Sequence, residues 1–214
     1  MRLQVRLAWL AWLVGVALAL YLRVVVRTCR VIGPATRDQA VLAFWHEFNM
    51  LTFVVARKRR GDLPLASFST SGFRGAVITA MLDHSGTRVE VFELPPEQDR
   101  AAGRAFALRM ARVAGSGASL IVTPDGPFGP YRVAKPGALI LARASGLPIQ
   151  PWAMSVRPAF RLMGRWDRQL VPLPFCRIRV TEGQRIAVPS RDPVRGLIGV
   201  VEAELNRISG APPG

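Results

Sequence analysis

The 214 residues suit one compact domain with a small appendage; half are hydrophobic, and the formal net charge is +15. The composition excludes a low-complexity or disordered chain, and no internal repeat is apparent. Arginine carries almost all the positive charge, since Lys58 and Lys135 are the sole lysines. That balance points to an anionic partner, nucleic acid or an acidic membrane surface, with an arginine-rich codon bias as the competing explanation. Cys29 and Cys176 lie far apart and match no metal-ligand spacing, so they read as reduced thiols of a cytosolic setting.

The first element is apolar. From Leu7 to Leu22, "LAWLAWLVGVALALYL", no residue is charged. The run is shorter than the roughly 20 residues that cross a bilayer. If Arg23 snorkels, it extends to Val26 and a span becomes feasible. Trp9, Trp12 and Tyr21 suit the membrane interface. Basic residues flank both ends (Arg2 and Arg6; Arg23, Arg27 and Arg30), so charge does not orient the helix. The same symmetry fits a helix lying in one leaflet. Ala17-Leu18-Ala19 resembles a signal-peptide cleavage site, which is the rival reading. Membrane attachment is the firmest functional inference from this segment.

Beyond Gly33-Pro34, short apolar runs alternate with helix-like segments. Strands are expected at Ala40–Trp45, Leu63–Ser69, Thr87–Phe92, Ser119–Thr123, Pro148–Val156 and Arg177–Glu182. Helices are expected at His46–Arg57, Gly72–Leu82, Arg100–Ala114, Pro136–Ala144 and Pro193–Ile208. Asp99 is placed to cap the third of these, and Gly115-Ser116-Gly117 to end it. Pro136 suits a first helical position and Gly146 a left-handed residue after the helix. Val194, Leu197, Ile198, Val201, Leu205 and Ile208 share one face of the last, capped by Asp192 and Pro193. Strands alternating with helices imply a single layered α/β domain with a largely parallel sheet, residues 34–214, after a membrane anchor and juxtamembrane segment, residues 1–33.

In such sheets ligands gather outside the carboxyl ends of the strands. His46 and Asp125 each sit just past such an end. His46, in "AFWHEFNML", is a candidate general base, against the alternative of a histidine packed with its nitrogens satisfied. His84, in "LDHSG", reads as a surface residue. Asp125, in "TPDGPFGPYR", either forms an ordinary turn or presents a carboxylate to a substrate hydroxyl, a histidine or a cation. The "ARKRRG" stretch, Ala56–Gly61, reads as a solvated basic loop within reach of lipid phosphates. Arg132 and Lys135 flank the corner where a helix begins, either as a phosphate site or as coincidence in an arginine-rich chain. The chain has no G-x-S-x-G elbow, Walker A loop, G-x-G-x-x-G fingerprint or H-E-x-x-H, and no basic-aromatic module that would read RNA or DNA.

Three stretches belong together: "FWH", then "TPDGPFGP…VAKPGALILARASGLPIQP", then "WDRQLVPLPFCRIRV.EG". From about Ala40 to Pro189 they resemble the bacterial DUF374 group of the lysophospholipid acyltransferase superfamily. The resemblance implies a membrane-associated α/β domain, on the cytoplasmic side of a bacterial inner membrane. It implies transfer of an acyl chain from acyl-CoA or acyl carrier protein to a hydroxyl of a lysophospholipid or related lipid, without acyl-enzyme. The implied partners are membrane lipids and the acyl donor, with no cofactor or dedicated protein partner; the residues themselves show no metal-ligand cluster, and nucleic-acid binding would rest on charge alone. On this resemblance His46 is the histidine of the H-x4-D motif, deprotonating the acceptor. Asp125-Gly126 takes the place of the Glu-Gly motif near the acceptor headgroup, with Thr123, Arg132 and Lys135 as pocket neighbours. Four features depart from the pattern. Leu51 replaces the aspartate that orients the histidine, leaving Asn49 or Asp125 as orienters. Ser71-Gly72 stands for an Asp-Gly, "EVFELPPEQD" for an Arg-Gly-Ser stretch, and Phe128 for an arginine. The alternative they raise is an inactive, lipid-binding member of the same fold.

Overall fold

The computed structural model describes residues 2–210, apart from 35, 60–62, 88, 97 and 190–193. Among these, the apolar runs become strands β1 (Arg30–Ile32), β2 (Val41–Ala43), β3 (Leu65–Ser69), β4 (Val89–Glu93), β5 (Ser119–Val122), β6 (Ile149–Arg161) and β7 (Leu170–Glu182). The amphipathic segments become α1 (Arg2–Thr28), α2 (Asn49–Arg59), α3 (Gly72–Ser85), α4 (Arg100–Gly115), α5 (Gly137–Ser145) and α6 (Val194–Ser209). The strands form one sheet in the order β1-β7-β6-β2-β5-β3-β4, in which only the β6–β7 pair is antiparallel. The chain is a single α/β domain with a mostly parallel seven-stranded sheet flanked by helices.

The centre of the sheet explains its sequence. β2 and β5 are buried at every position, as a strand covered by helices on both faces must be. Phe44, Trp45 and Trp152 fill the core beside them without exposed surface. Outward, β7 returns to period-two alternation, with Cys176, Ile178 and Val180 buried between exposed Arg177, Arg179 and Thr181. Burial pushes the Cys176 thiol up to about 11, so it stays protonated at neutral pH. Cys29, distant in sequence, is its neighbour, and both are free thiols.

Several local expectations have physical counterparts. The Asp99 carboxylate accepts from the Ala102 amide at 2.9 Å and caps α4. Gly146, at φ 71°, ends α5. Val201 and Leu205 of α6 are buried in the core; the expected caps Asp192 and Pro193 lie outside the described residues. Other expectations are corrected. β1 was not foreseen, and β6 and β7 run longer than the apolar pattern allows. Residues 56–59 form the end of α2, not a loop, and the rest of that basic stretch lies outside the described residues. Lys58 Nζ donates to the Cys29 carbonyl (2.6 Å) and Arg59 to that of Val31 (2.8 Å), so both cations secure the junction behind α1.

The apolar helix α1 packs along α3 through a stripe of small residues. Ala11, Gly15 and Ala19 are buried and spaced four apart, followed by Leu22 and Val25. At Gly15 a Cβ would stand 2.6 Å from Ala80 Cβ and 2.7 Å from the Val77 carbonyl oxygen, so only glycine admits this approach. The opposite face exposes Trp9, Leu10, Leu13, Leu20 and Val24. Residues Arg6–Thr28 are long and apolar enough to cross a membrane by length and composition. Gly15→Leu is expected to lift α1 from α3 and lower stability by about 1–3 kcal/mol, the usual cost of overpacking. Proteolysis near Thr28 should then accelerate while the sheet's circular dichroism persists. An unchanged cleavage rate would count against this packing.

Candidate active site

β2 and β5 are parallel neighbours, so their carboxyl ends open on the same edge of the sheet. Past β5 the chain turns at once: the Gly126 amide donates to the Thr123 carbonyl at 3.0 Å across Pro124 and Asp125. Gly126 continues at φ 70°, a left-handed position that suits glycine. Past β2, Phe44 still bonds Val122, and His46 then opens a single 3-10 turn, His46–Phe48, that leads into α2. The two turns face each other across 79 residues of sequence.

Asp125 has no exposed surface, and its carboxylate is turned to His46. Oδ1 lies 2.9 Å from His46 Nδ1, and the His46 backbone amide donates to both oxygens at 3.3 and 3.2 Å. A carboxylate only accepts, so Nδ1 carries the proton and Nε2 is left as the basic atom. The imidazole is 16% exposed, and Nε2 is 3.4 Å from Thr123 Oγ1. The Trp166 ring lies against the imidazole, centroids 5.0 Å apart. Held by a carboxylate at Nδ1, with the Thr123 hydroxyl near Nε2, the ring is arranged to take a proton from a hydroxyl through Nε2.

His46, Asp125 and Thr123 therefore form one cluster. Gly126 and Lys135 adjoin it: the Lys135 amide donates to the Pro124 carbonyl at 2.8 Å, and its side chain lies over Gly126. Arg132 goes elsewhere. Its guanidinium is 5% exposed and turned inward, with Nε 2.6 Å from Glu47 Oε1 and NH1 2.8 Å from the Gly210 carbonyl. Leu51, the position five beyond His46, is packed in the core without exposure. Asn49 starts α2, with its amide on the His46 carbonyl. Phe128 is exposed at the corner. His84 bonds the Ala80 carbonyl of its own helix and meets Trp12 edge-on.

A buried network behind the cluster escapes sequence reasoning. Glu47 has no exposed surface, and its carboxylate is held by Arg132 and by Arg161 (NH1–Oε2 2.5 Å). Its carbonyl accepts from Gln169 Nε2 at 2.8 Å. Arg161 also donates to the Arg168 carbonyl, and Arg165 makes two bonds to buried Asp167. These contacts fix the β6–β7 connection that carries Trp166. Burial and the nearby Glu47 charge push the Tyr131 phenol up. One signal was legible: Glu47 is an acid inside the apolar-aromatic run "AFWHEFNML". Among the described residues, no group of His, Cys, Asp and Glu converges as a metal site.

No family model matches the chain. It is 26% identical over 151 residues to an uncharacterized protein of Rickettsia prowazekii (strain Madrid E), a match covering 69% of this chain and 64% of that protein. The chain thus spans a little under two-thirds of that relative's length. Among solved structures it is similar to the 1-acyl-sn-glycerophosphate (LPA) acyltransferase PlsC from Thermotoga maritima. The similarity covers 89% of this chain and 76% of that one, at 16% identity and a TM-score of 0.49.

Proposed function

We propose that this chain is a membrane-associated acyltransferase in which His46 Nε2 deprotonates a lipid hydroxyl. The alkoxide attacks the thioester carbonyl of acyl-CoA or acyl carrier protein, and the C–S bond breaks as the tetrahedral intermediate collapses. The proton held on His46 passes to the departing thiolate. Asp125 keeps the imidazole oriented and stabilises the imidazolium that forms between the two transfers. The observation that carries this reading is the contact of Asp125 with His46 Nδ1, on an imidazole that stays 16% exposed. Gly126 and Lys135 are assigned to the acceptor's headgroup, with Lys135 set towards its phosphate. Arg132, committed to Glu47, supports the corner instead. The apolar face of α1 holds the domain at the lipid surface, on the cytoplasmic side where such donors are available.

The test is transfer of labelled acyl chains by the detergent-purified protein, using acyl-CoA and acyl carrier protein donors against a panel of lysophospholipids. Turnover is expected with wild type and is expected to fall by about 10²–10⁴-fold in His46→Ala. No transfer across the whole panel would leave lipid binding without turnover as the function.

A further inference from the structure

The outer half of the sheet carries a charged surface that the site does not use. Arg177 on β7 stands in direct register between Arg30 on β1 and Arg157 on β6. Arg179 follows, opposite Ser155. All four arginines are exposed, while Cys176, Ile178 and Val180 between them point inward. The alternation of β7 therefore fixes a row of guanidiniums on one face. Like charges directly opposed across strands destabilise a sheet. Among the described residues, none of the four has a carboxylate within the 4.0 Å of an ion pair. Arg157, Arg177, Arg179 and Phe175 line an open groove of about 360 Å³. Among the described residues this exposed face has no carboxylate in ion-pair range, which leaves it open to external anions.

Its position identifies them. Phe175 is 80% exposed, and its amide donates to Oγ1 of Thr28, the last residue of α1, at 3.0 Å. Tyr21 of α1 donates to the Pro172 carbonyl nearby on β7. The basic groove therefore begins where the apolar helix ends, with an exposed aromatic ring at the join. Apolar helix, interfacial aromatic and guanidinium cluster, in that order, match the layers of an anionic bilayer. We propose that the Arg30–Arg157–Arg177–Arg179 face docks on the phosphates of anionic phospholipids as α1 enters the apolar layer. This rests on the membrane part of the function proposed above and not on acyl transfer.

Flotation of the full chain with vesicles tests it, using phosphatidylcholine alone and phosphatidylcholine with phosphatidylglycerol. Wild type is expected to bind both and to gain with phosphatidylglycerol, a gain that shrinks as salt rises. At about fivefold per guanidinium near the surface, R157Q/R177Q/R179Q should lose about a hundredfold of that gain and keep its binding to neutral vesicles. R100Q/R104Q/R112Q removes the same charge from α4 and should keep the gain. Equal losses in the two variants would make the effect one of bulk charge and overturn the proposal. So would equal binding of wild type to the two vesicles, which leaves membrane attachment standing. Failure to bind either vesicle would remove both. A duplex DNA that binds wild type more tightly than the anionic vesicle, and releases the groove variant, would reassign the face to nucleic acid.

Discussion

Asp125→Asn is expected to fold and to lose acyl transfer by about 10²–10⁴-fold in kcat, with the KM for the lipid acceptor nearly unchanged. The buried carboxylate touches the imidazole and its backbone amide, so its removal acts on the base before it acts on substrate. An asparagine amide oxygen still accepts a hydrogen bond, which preserves the packing of the two turns. It brings no negative charge to an imidazolium, and its NH₂ group favours the wrong tautomer if it turns towards Nδ1. The split between kcat and KM decides between the two roles open to this residue. A rise in KM at constant kcat would make Asp125 a headgroup holder, as the Glu-Gly resemblance implies. A drop in kcat alone makes it the partner of His46.

Glu47→Ala should have the largest effect on stability, about 3–5 kcal/mol, because it leaves two guanidiniums facing a cavity without an anion. Arg132 is almost wholly buried and Arg161 largely so, which keeps water from replacing the carboxylate. Most domains hold only about 5–15 kcal/mol in all, so such a loss is a large share. The Glu204–Arg207 pair is the natural contrast. Arg207 is 64% exposed there, and Arg207→Gln should leave the unfolding midpoint nearly unchanged. Replacing Glu47, Arg132 and Arg161 together by apolar residues should cost less than Glu47→Ala alone, since no buried charge is then stranded. Urea denaturation of the variants measures all of these. A Glu47→Ala midpoint equal to that of Arg207→Gln would show that the network carries no stability.

What was legible in the sequence follows from the range of the forces involved. β5 and α4 were read closely because an apolar run and a cap act within a few residues. β1 escaped because three residues hold no period; it is a strand only through its pairing with β7. β6 outruns its expected end at Val156, although proline seldom continues a strand. The structure places Pro158 at a register shift between Arg157 and Ala159, and pairing resumes beyond it. The site divides the same way. His46 and Asp125 stood out as polar residues at strand ends. Glu47, Arg161, Gln169 and Trp166 did not, since their meaning depends on contacts across 85 residues or more. Arg132 shows the converse, where a local pattern pointed to a phosphate and a distant carboxylate claimed the side chain.

The packing of α1 and β1 also sets an order of events during synthesis. α1 leaves the ribosome well before α3 exists, and β1 must wait for β7, near the far end of the chain. Through that interval the longest apolar segment of the protein has no protein surface to cover it. Contacts so distant in sequence form last, and an uncovered apolar helix in water aggregates in the meantime. A lipid surface shortens the exposure by receiving α1 first. On the membrane reading proposed above, the domain would then fold onto a helix already at the lipid surface, with the narrow seat at Gly15 holding the two together.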